Sequence, residues 1–332
     1  MIEFSFIIPY YNGQATIVRC LNSIYSTELD TDSFEIIIVD DCSSISDESV
    51  LTDYICCHPN IRIVSHPKNR FQGGAKNTGI RLSIGKYIIF ADQDDYVIPN
   101  NLRIAMQEAL KSSPDLLACK YNVVYEDGKT VEKGLDRAQS FSVDGKSFCE
   151  TYFNPGLCLA PWSYLYRRAF LQQVSHPMEE SVLMEDSDWI AWHLVHANII
   201  EYLPIPIYCW LMSPSSITHS QSWRHKADWV KFGYRKIRDS KLYSSVSKSF
   251  AIIMENDGRY NIESAFKKLW KTDNYQLFYN HLGDDVIESI KYMRWSNTTT
   301  FMLKHPKASV LCLSLLGPCL KGLHWVYSKL IQ

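Results

Sequence analysis

Four short apolar runs divide the first part of the chain: Phe4 to Ile8, Glu35 to Val39, Ile61 to Val64 and Lys86 to Ala91. Between them lie segments whose apolar residues recur at helical spacing, as Ala15, Val18, Leu21, Ile24 and Tyr25 do after the first run. Repeated strand–helix units of this length leave few architectures open, because parallel neighbours need a crossover and the crossover helices cover both sheet faces. The β-branched stretch Glu35-Ile-Ile-Ile-Val39 fits a strand buried on both sides. The expectation is an α/β fold, a mostly parallel sheet with flanking helices, whose ligands sit beyond the carboxyl ends of the strands.

Acids gather at those ends. The fourth run, Lys86-Tyr-Ile-Ile-Phe-Ala-Asp-Gln-Asp-Asp95, delivers Asp92, Asp94 and Asp95 where the strand leaves the sheet, and the second run ends in Asp40-Asp41. Adjacent carboxylates on a rigid element repel one another unless a cation or backbone N–H groups offset their charge. Oxygen-only ligands suit Mg²⁺ or Mn²⁺. Asp94 or Asp95 also fits the cap of a helix beginning near Pro99, which explains one acid of the three. A later group, Glu185, Asp186 and Asp188, opens a segment with Ile190, Leu194 and Ala197 at helical spacing, where capping is again an alternative.

Further along, a helix is expected over Asn100–Lys111, a strand over Asp115–Cys119, and a hairpin joining Tyr121–Tyr125 to Thr130–Glu132. The alternation then breaks down, and Ile205–Met212 reads as the last strand. Beyond about Ala227 the chain is helical and rich in Trp, Tyr, Lys and Arg, so residues 1–222 and 223–332 are read as separate regions. The run Ala308–Leu320 is too short to span a bilayer, which takes roughly twenty apolar residues. It suits an interfacial helix, giving peripheral membrane contact, or a packing helix.

A net charge of −2 excludes nucleic-acid binding by bulk charge. The 10 cysteines form no Cys-x-x-Cys pair and read as buried thiols in a reducing compartment. Met1 leads almost directly into a strand with no basic or long apolar leader, which predicts a cytoplasmic protein, the inner face of the cell membrane included.

Three blocks, in order and at their spacing, carry a resemblance to the family-2 inverting glycosyltransferases of the GT-A fold. Phe6-Ile-Ile-Pro-Tyr-Tyr-Asn12 with Val39-Asp-Asp-Cys-Ser43 resembles the family's opening strand and nucleotide loop. Asn77-Thr-Gly79 through Asp95 resembles its Arg-Asn-x-Gly helix and Asp-x-Asp metal motif, and Met184-Glu-Asp186 its Glu-Asp block. Lys76 stands where the family usually has Arg, and Lys meets a phosphate as a point charge without the bidentate fork.

The resemblance implies a nucleotide-sugar donor, UDP-linked, a saccharide or lipid-linked saccharide acceptor, Mn²⁺ or Mg²⁺ as cofactor, and a place in surface polysaccharide synthesis. It assigns Asp41, with Asp40 beside it, to the base and ribose, Pro9 and Tyr11 to the base pocket, and Lys76 to the diphosphate. Asp94 becomes the direct metal ligand, Asp92 a ligand of ribose or of the metal's hydration shell, and Asp95 a cap or supporting acid. Asp186 is the expected general base with Glu185 as runner-up, and His219 is placed at the metal or diphosphate. Trp162 is read as core. The rival functions are a sugar nucleotidyltransferase, whose Gly-rich basic loop Tyr10-Tyr-Asn-Gly13 lacks, and an inactive nucleotide- or glycan-binding relative.

Overall fold

Seven consecutive buried residues, Phe4–Tyr10, form β1 at the centre of the sheet. A computed structural model describes residues 1–44, 48–152, 160–212, 223–268, 275–291 and 293. The chain divides into two units, Met1–Ser213 and Pro214–Gln332.

In the first unit, β1 is followed by α1 (Ile17–Tyr25), β2 (Phe34–Asp40), α2 (Glu48–Cys56), β3 (Ile61–Ser65), α3 (Phe71–Leu82) and β4 (Tyr87–Phe90). These four strands run parallel in the order β3-β2-β1-β4. α1 forms because Ile17, Cys20, Leu21 and Ile24 make one apolar face, which packs with Phe6, Ile8, Tyr10 and Ile36. The βα repeat read from the sequence is present within a residue or two at each end.

The second half of the sheet is mixed. After β5 (Tyr96–Val97) and α4 (Pro99–Ser112) come β6 (Leu116–Val124), β7 (Thr130–Lys133), β8 (Phe141–Val143), α5 (Gly145–Tyr152), β9 (Tyr164–Arg167), α6 (Arg168–Val174), α7 (Asp186–His196) and β10 (Ile200–Leu211). The sheet continues β4-β9-β6-β10-β5, with β7 on β6 and β8 on β10. β9 is antiparallel to both neighbours and β5 to β10, while β10 runs parallel to β6. The two strands expected around residue 120 are one strand, β6, and its hairpin to β7 is as read. β10 starts at Ile200 rather than Ile205, because Pro204 and Pro206 are absorbed in register shifts between Leu203 and Tyr208.

Trp162 is core, stacked on Tyr208 at 4.5 Å between ring centroids. The thiol reading needs correction: Cys20, Cys119, Cys149 and Cys209 are buried and free, but Cys42, Cys56 and Cys57 are exposed.

The second unit holds α8 (Trp223–Tyr243), α9 (Lys248–Lys268), α10 (Tyr275–Leu282) and α11 (Asp284–Lys291). Its core is its own, with Ala227, Val230 and Ile237 of α8 meeting Ile262, Phe266, Phe278 and Leu282. Among the described residues no helix is long and apolar enough to cross a membrane. The apolar run at 308–320 and His219 lie outside them.

Candidate active site

The acids of the first two blocks lie at the carboxyl ends of β2 and β4. Side chains alternate along a strand, so Asp40 and Asp41 leave β2 in different directions. Asp41 is buried and its carboxylate is engaged: Oδ1 accepts from His66 Nδ1–H at 2.7 Å, and the Arg70 N–H reaches Oδ1 at 2.8 Å and Oδ2 at 3.0 Å. His66 Nε2 meets the Thr78 hydroxyl at 2.9 Å, which ties β3, α3 and the end of β2 together. Asp40 accepts from the Ser43 N–H at 3.0 Å and lines a cavity of about 140 Å³ with Ser43, Thr52, Ser65, Leu51 and Ile63. Pro9 is buried inside β1, whereas Tyr11 just beyond it is 49% exposed.

Beyond β4 the three acids separate as sharply. Asp94 is exposed, and its backbone carbonyl accepts from the Arg19 guanidinium. Asp95 is buried and caps no helix: Oδ2 accepts from the Tyr208 hydroxyl at 3.0 Å and Oδ1 from the Leu211 N–H at 2.8 Å. The residue before α4 is Ile98, with Pro99 opening the helix, so neither Asp94 nor Asp95 is its cap. Tyr208 also accepts from the Asp92 N–H at 2.8 Å, which holds the acid loop against β10. Burial, with Asp92 and Asp94 nearby, pushes the Asp95 pKa up to about 8.

The third block comes in from α7. Glu185 is buried and receives a 2.9 Å hydrogen bond from the Lys76 ammonium, which also donates to Gln72 Oε1 at 3.0 Å. Lys76 is only 1% exposed, and its ammonium is bonded to the protein's own groups, Glu185 and Gln72. Burial works against that charge, but Glu185, Asp92 and Asp186 outweigh it and hold the Lys76 pKa above its ordinary value. Asp186 opens α7 with its side chain on the same charge cluster; burial first, then Glu185, raises its pKa, and Lys76 opposes the rise. Burial likewise pushes the Asp92 pKa up to about 6, against the pull of Lys76.

The segment leading to Asp186 is fastened to the start of α3, a support the sequence reading missed. Arg70 Nε donates to Glu180 Oε2 at 2.8 Å, and its carbonyl accepts from the Ser181 N–H at 3.1 Å. Asn77 bonds both the carbonyl and the N–H of Met178, each at 2.9 Å. Gly73 is required there, because a Cβ would stand 2.2 Å from the Glu179 carbonyl oxygen. Ser181 and Met184 take positive φ of 63° and 64°, so this support also holds strained backbone. Asn77 was legible as part of a motif; nothing in the sequence marks its partner.

Among the described residues no three ligand-type side chains are already gathered as a metal site. The acid loop still fits a divalent cation. Asp92 Oδ1 is buried with no hydrogen-bond partner, Asp94 is open, and the donors are oxygens with excess negative charge around them.

The model of the family described as glycosyl transferase family 2 matches residues 5–173, from β1 through α6. The uncharacterized glycosyltransferase EpsJ of Bacillus subtilis (strain 168) is 28% identical over 221 residues, 64% of this chain and 62% of EpsJ. This chain thus spans less than two thirds of the length of such relatives. The poly(ribitol-phosphate) beta-glucosyltransferase of Bacillus spizizenii is 34% identical over 144 residues, 43% of this chain and 22% of that protein. The crystal structure of S. aureus TarS 1-349 in complex with UDP-GlcNAc superposes with a TM-score of 0.62 at 18% identity, covering 99% of this chain and 88% of that one. At that identity the likeness speaks for the fold, which is of the GT-A type. With the family model matching more than half of its 332 residues, the chain belongs to glycosyl transferase family 2.

Proposed function

We propose that the protein is an inverting glycosyltransferase that moves a sugar from a UDP-sugar to a hydroxyl of a glycan or lipid-linked acceptor, in the synthesis of a surface polysaccharide. One observation carries the reading: Lys76 takes Glu185 into a buried ion pair, so Asp186, half-buried within the electrostatic reach of Lys76 and Asp92, is the acid of the pair not bonded to the ammonium. The nucleotide half of the donor lies along the ends of β1 and β2, between Tyr11 and Asp40, on a frame that Asp41 fixes. A solved neighbour of the same fold holds UDP-GlcNAc, and a relative is named for transfer to a poly(ribitol-phosphate); both support the choice of donor and acceptor class.

Asp186 takes the proton of the acceptor hydroxyl as that oxygen bonds to the anomeric carbon. The bond from the anomeric carbon to the diphosphate oxygen breaks on the opposite face, and its electron pair leaves with UDP. A divalent cation, Mn²⁺ or Mg²⁺, held by Asp94 and Asp92 supplies positive charge to the departing diphosphate when bound. Glu185 cannot serve as readily as base, since its carboxylate is occupied by Lys76.

The base must be ionised to act, and the Asp186 pKa is raised by burial and by Glu185. Turnover is therefore expected to rise with pH through an apparent pKa above the ordinary carboxylate range. The test is release of nucleotide from a panel of nucleotide sugars, with Mn²⁺ and with chelator, in the presence of candidate acceptors. Asp186→Asn should lower kcat by about 10²- to 10⁴-fold, the usual worth of a general base. No release from any donor, or an undiminished Asp186→Asn enzyme, overturns the reading.

A further inference from the structure

Gln93 occupies the slot between Asp92 and Asp94, where the sequence pattern asks for nothing in particular. Its side chain turns to the β1–α1 loop and grips one residue of it by both backbone groups. The Tyr11 N–H donates to Gln93 Oε1 at 2.9 Å, and Gln93 Nε2 donates to the Tyr11 carbonyl at 3.0 Å. The carboxamide is the one side-chain group of this length that supplies a donor and an acceptor side by side. Room for it comes from Gly13, where a Cβ would stand 2.2 Å from Gln93 Oε1.

The same loop is held on its other side. The Asn12 N–H donates to Ser43 Oγ at 2.9 Å, and Asn12 Oδ1 accepts from the Ser44 N–H at 3.0 Å. Tyr11 therefore sits on a backbone bracketed between the loop after β2 and the acid loop after β4, while Tyr11 itself remains 49% exposed. An exposed aromatic ring on a fixed backbone offers a stacking face to a planar heterocycle with the loop's ordering cost met before binding.

We propose that Gln93 is a positioning residue for the donor nucleotide: its carboxamide fixes Tyr11 so that the ring is set to stack on the base. The proposal rests on the donor reading above and adds to it the residue that sets the base-binding ring. Gln93 touches neither the reacting atoms nor the base, and acts through Tyr11 alone.

The experiment has two arms on the full chain. Without nucleotide, hydrogen exchange at the Tyr11 amide should be faster in Gln93→Ala than in the wild type, since that N–H loses its acceptor. With UDP and Mn²⁺, Gln93→Ala should weaken UDP binding and raise donor KM by about tenfold, the size expected from freeing one aromatic side chain and its loop, with kcat within about twofold. Gln93→Glu keeps the acceptor for the Tyr11 N–H and loses the donor, so it should fall between. Equal UDP affinity and equal KM in Gln93→Ala overturn the positioning role, and unchanged Tyr11 exchange overturns the clamp itself. A wild type that binds no UDP overturns the donor reading and this role with it, a result the exchange arm keeps separate from loss of the clamp.

Discussion

At the end of β2 the second of two adjacent acids, Asp41, is held inward by His66 and Arg70, while Asp40 opens on a cavity. Beyond β4 the division recurs, with Asp95 held by Tyr208 and Leu211 and Asp94 exposed. At α7 the order reverses: the first acid, Glu185, is taken by Lys76, and the second, Asp186, is half-buried and accepts from the Ser187 hydroxyl at 3.4 Å. The difference follows from direction. Two neighbouring side chains at a strand exit or helix start diverge, so they meet different surroundings, and a buried carboxylate needs partners. In each doubled acid one carboxylate is tied up by protein partners, and which one depends on residues far away in sequence.

The division between the two kinds of acid should have its largest effect at the acid loop. Asp94→Asn should cut turnover roughly 10²- to 10³-fold, by weakening the hold on the cation proposed to offset the charge of the departing diphosphate, with the unfolding midpoint unchanged. Asp95→Ala should instead cost stability, about 2 kcal/mol in denaturant unfolding, because it strands the buried Tyr208 hydroxyl and Leu211 N–H. Asp95→Asn keeps most of that stability. The pH dependence has a definite sign. A folded pKa near 8 lies above the unfolded value of 3.8, so the native state binds the extra proton, and this group's stabilising contribution is lost as pH rises from about 4 to about 8. Asp95→Asn should flatten that fall. If Asp94→Asn lost stability and Asp95→Ala lost only turnover, the assignment of the pair would be inverted.

The pair after β2 should repeat the pattern. Asp41→Ala leaves the His66 ring and the Arg70 N–H without their acceptor, and a loss of roughly 1–3 kcal/mol in unfolding free energy is expected. Asp40→Asn should leave stability near the wild type and weaken UDP binding by calorimetry, because Asp40 is the acid on the cavity. Equal stability losses in the two variants would mean that both acids are structural.

The parallel half of the fold was legible because its signals are local: β-branched runs, helical spacing between them, and acids where each run stops. The antiparallel strand β9 was not, since Tyr164–Arg167 is four residues long and is defined by its neighbours β4 and β6 rather than by its own pattern. The start of β10 was hidden by Pro204 and Pro206, which a regular strand would exclude. In the site, motif order located the acids of all three blocks but could not divide their labour. Lys76 looks like a phosphate ligand by its place in a motif, and its 2.9 Å bond to Glu185 crosses more than a hundred residues of sequence. Gln93 carried no signal at all, because a side-chain amide reads as polar surface until its partner is known.

The third pair gives the smallest and most discriminating effect. The segment before Asp186 is fastened to α3, and the Arg70–Glu180 ion pair is the half-buried part of that fastening, with the two side chains 29% and 35% exposed. Pairs this accessible to solvent contribute under about 1 kcal/mol, so Arg70→Ala should leave the unfolding midpoint almost unmoved. Its effect should appear in kcat, about three- to tenfold lower, from a base held less closely to its working position. The Arg70 backbone N–H that holds Asp41 survives the substitution, so UDP affinity should stay at the wild-type value. The exchanged pair Arg70→Glu with Glu180→Arg should recover part of the loss, and a double-mutant cycle on kcat measures the coupling. If UDP affinity fell as far as kcat, Arg70 would be serving the nucleotide side through Asp41, and the separation between the donor frame and the base segment would be wrong.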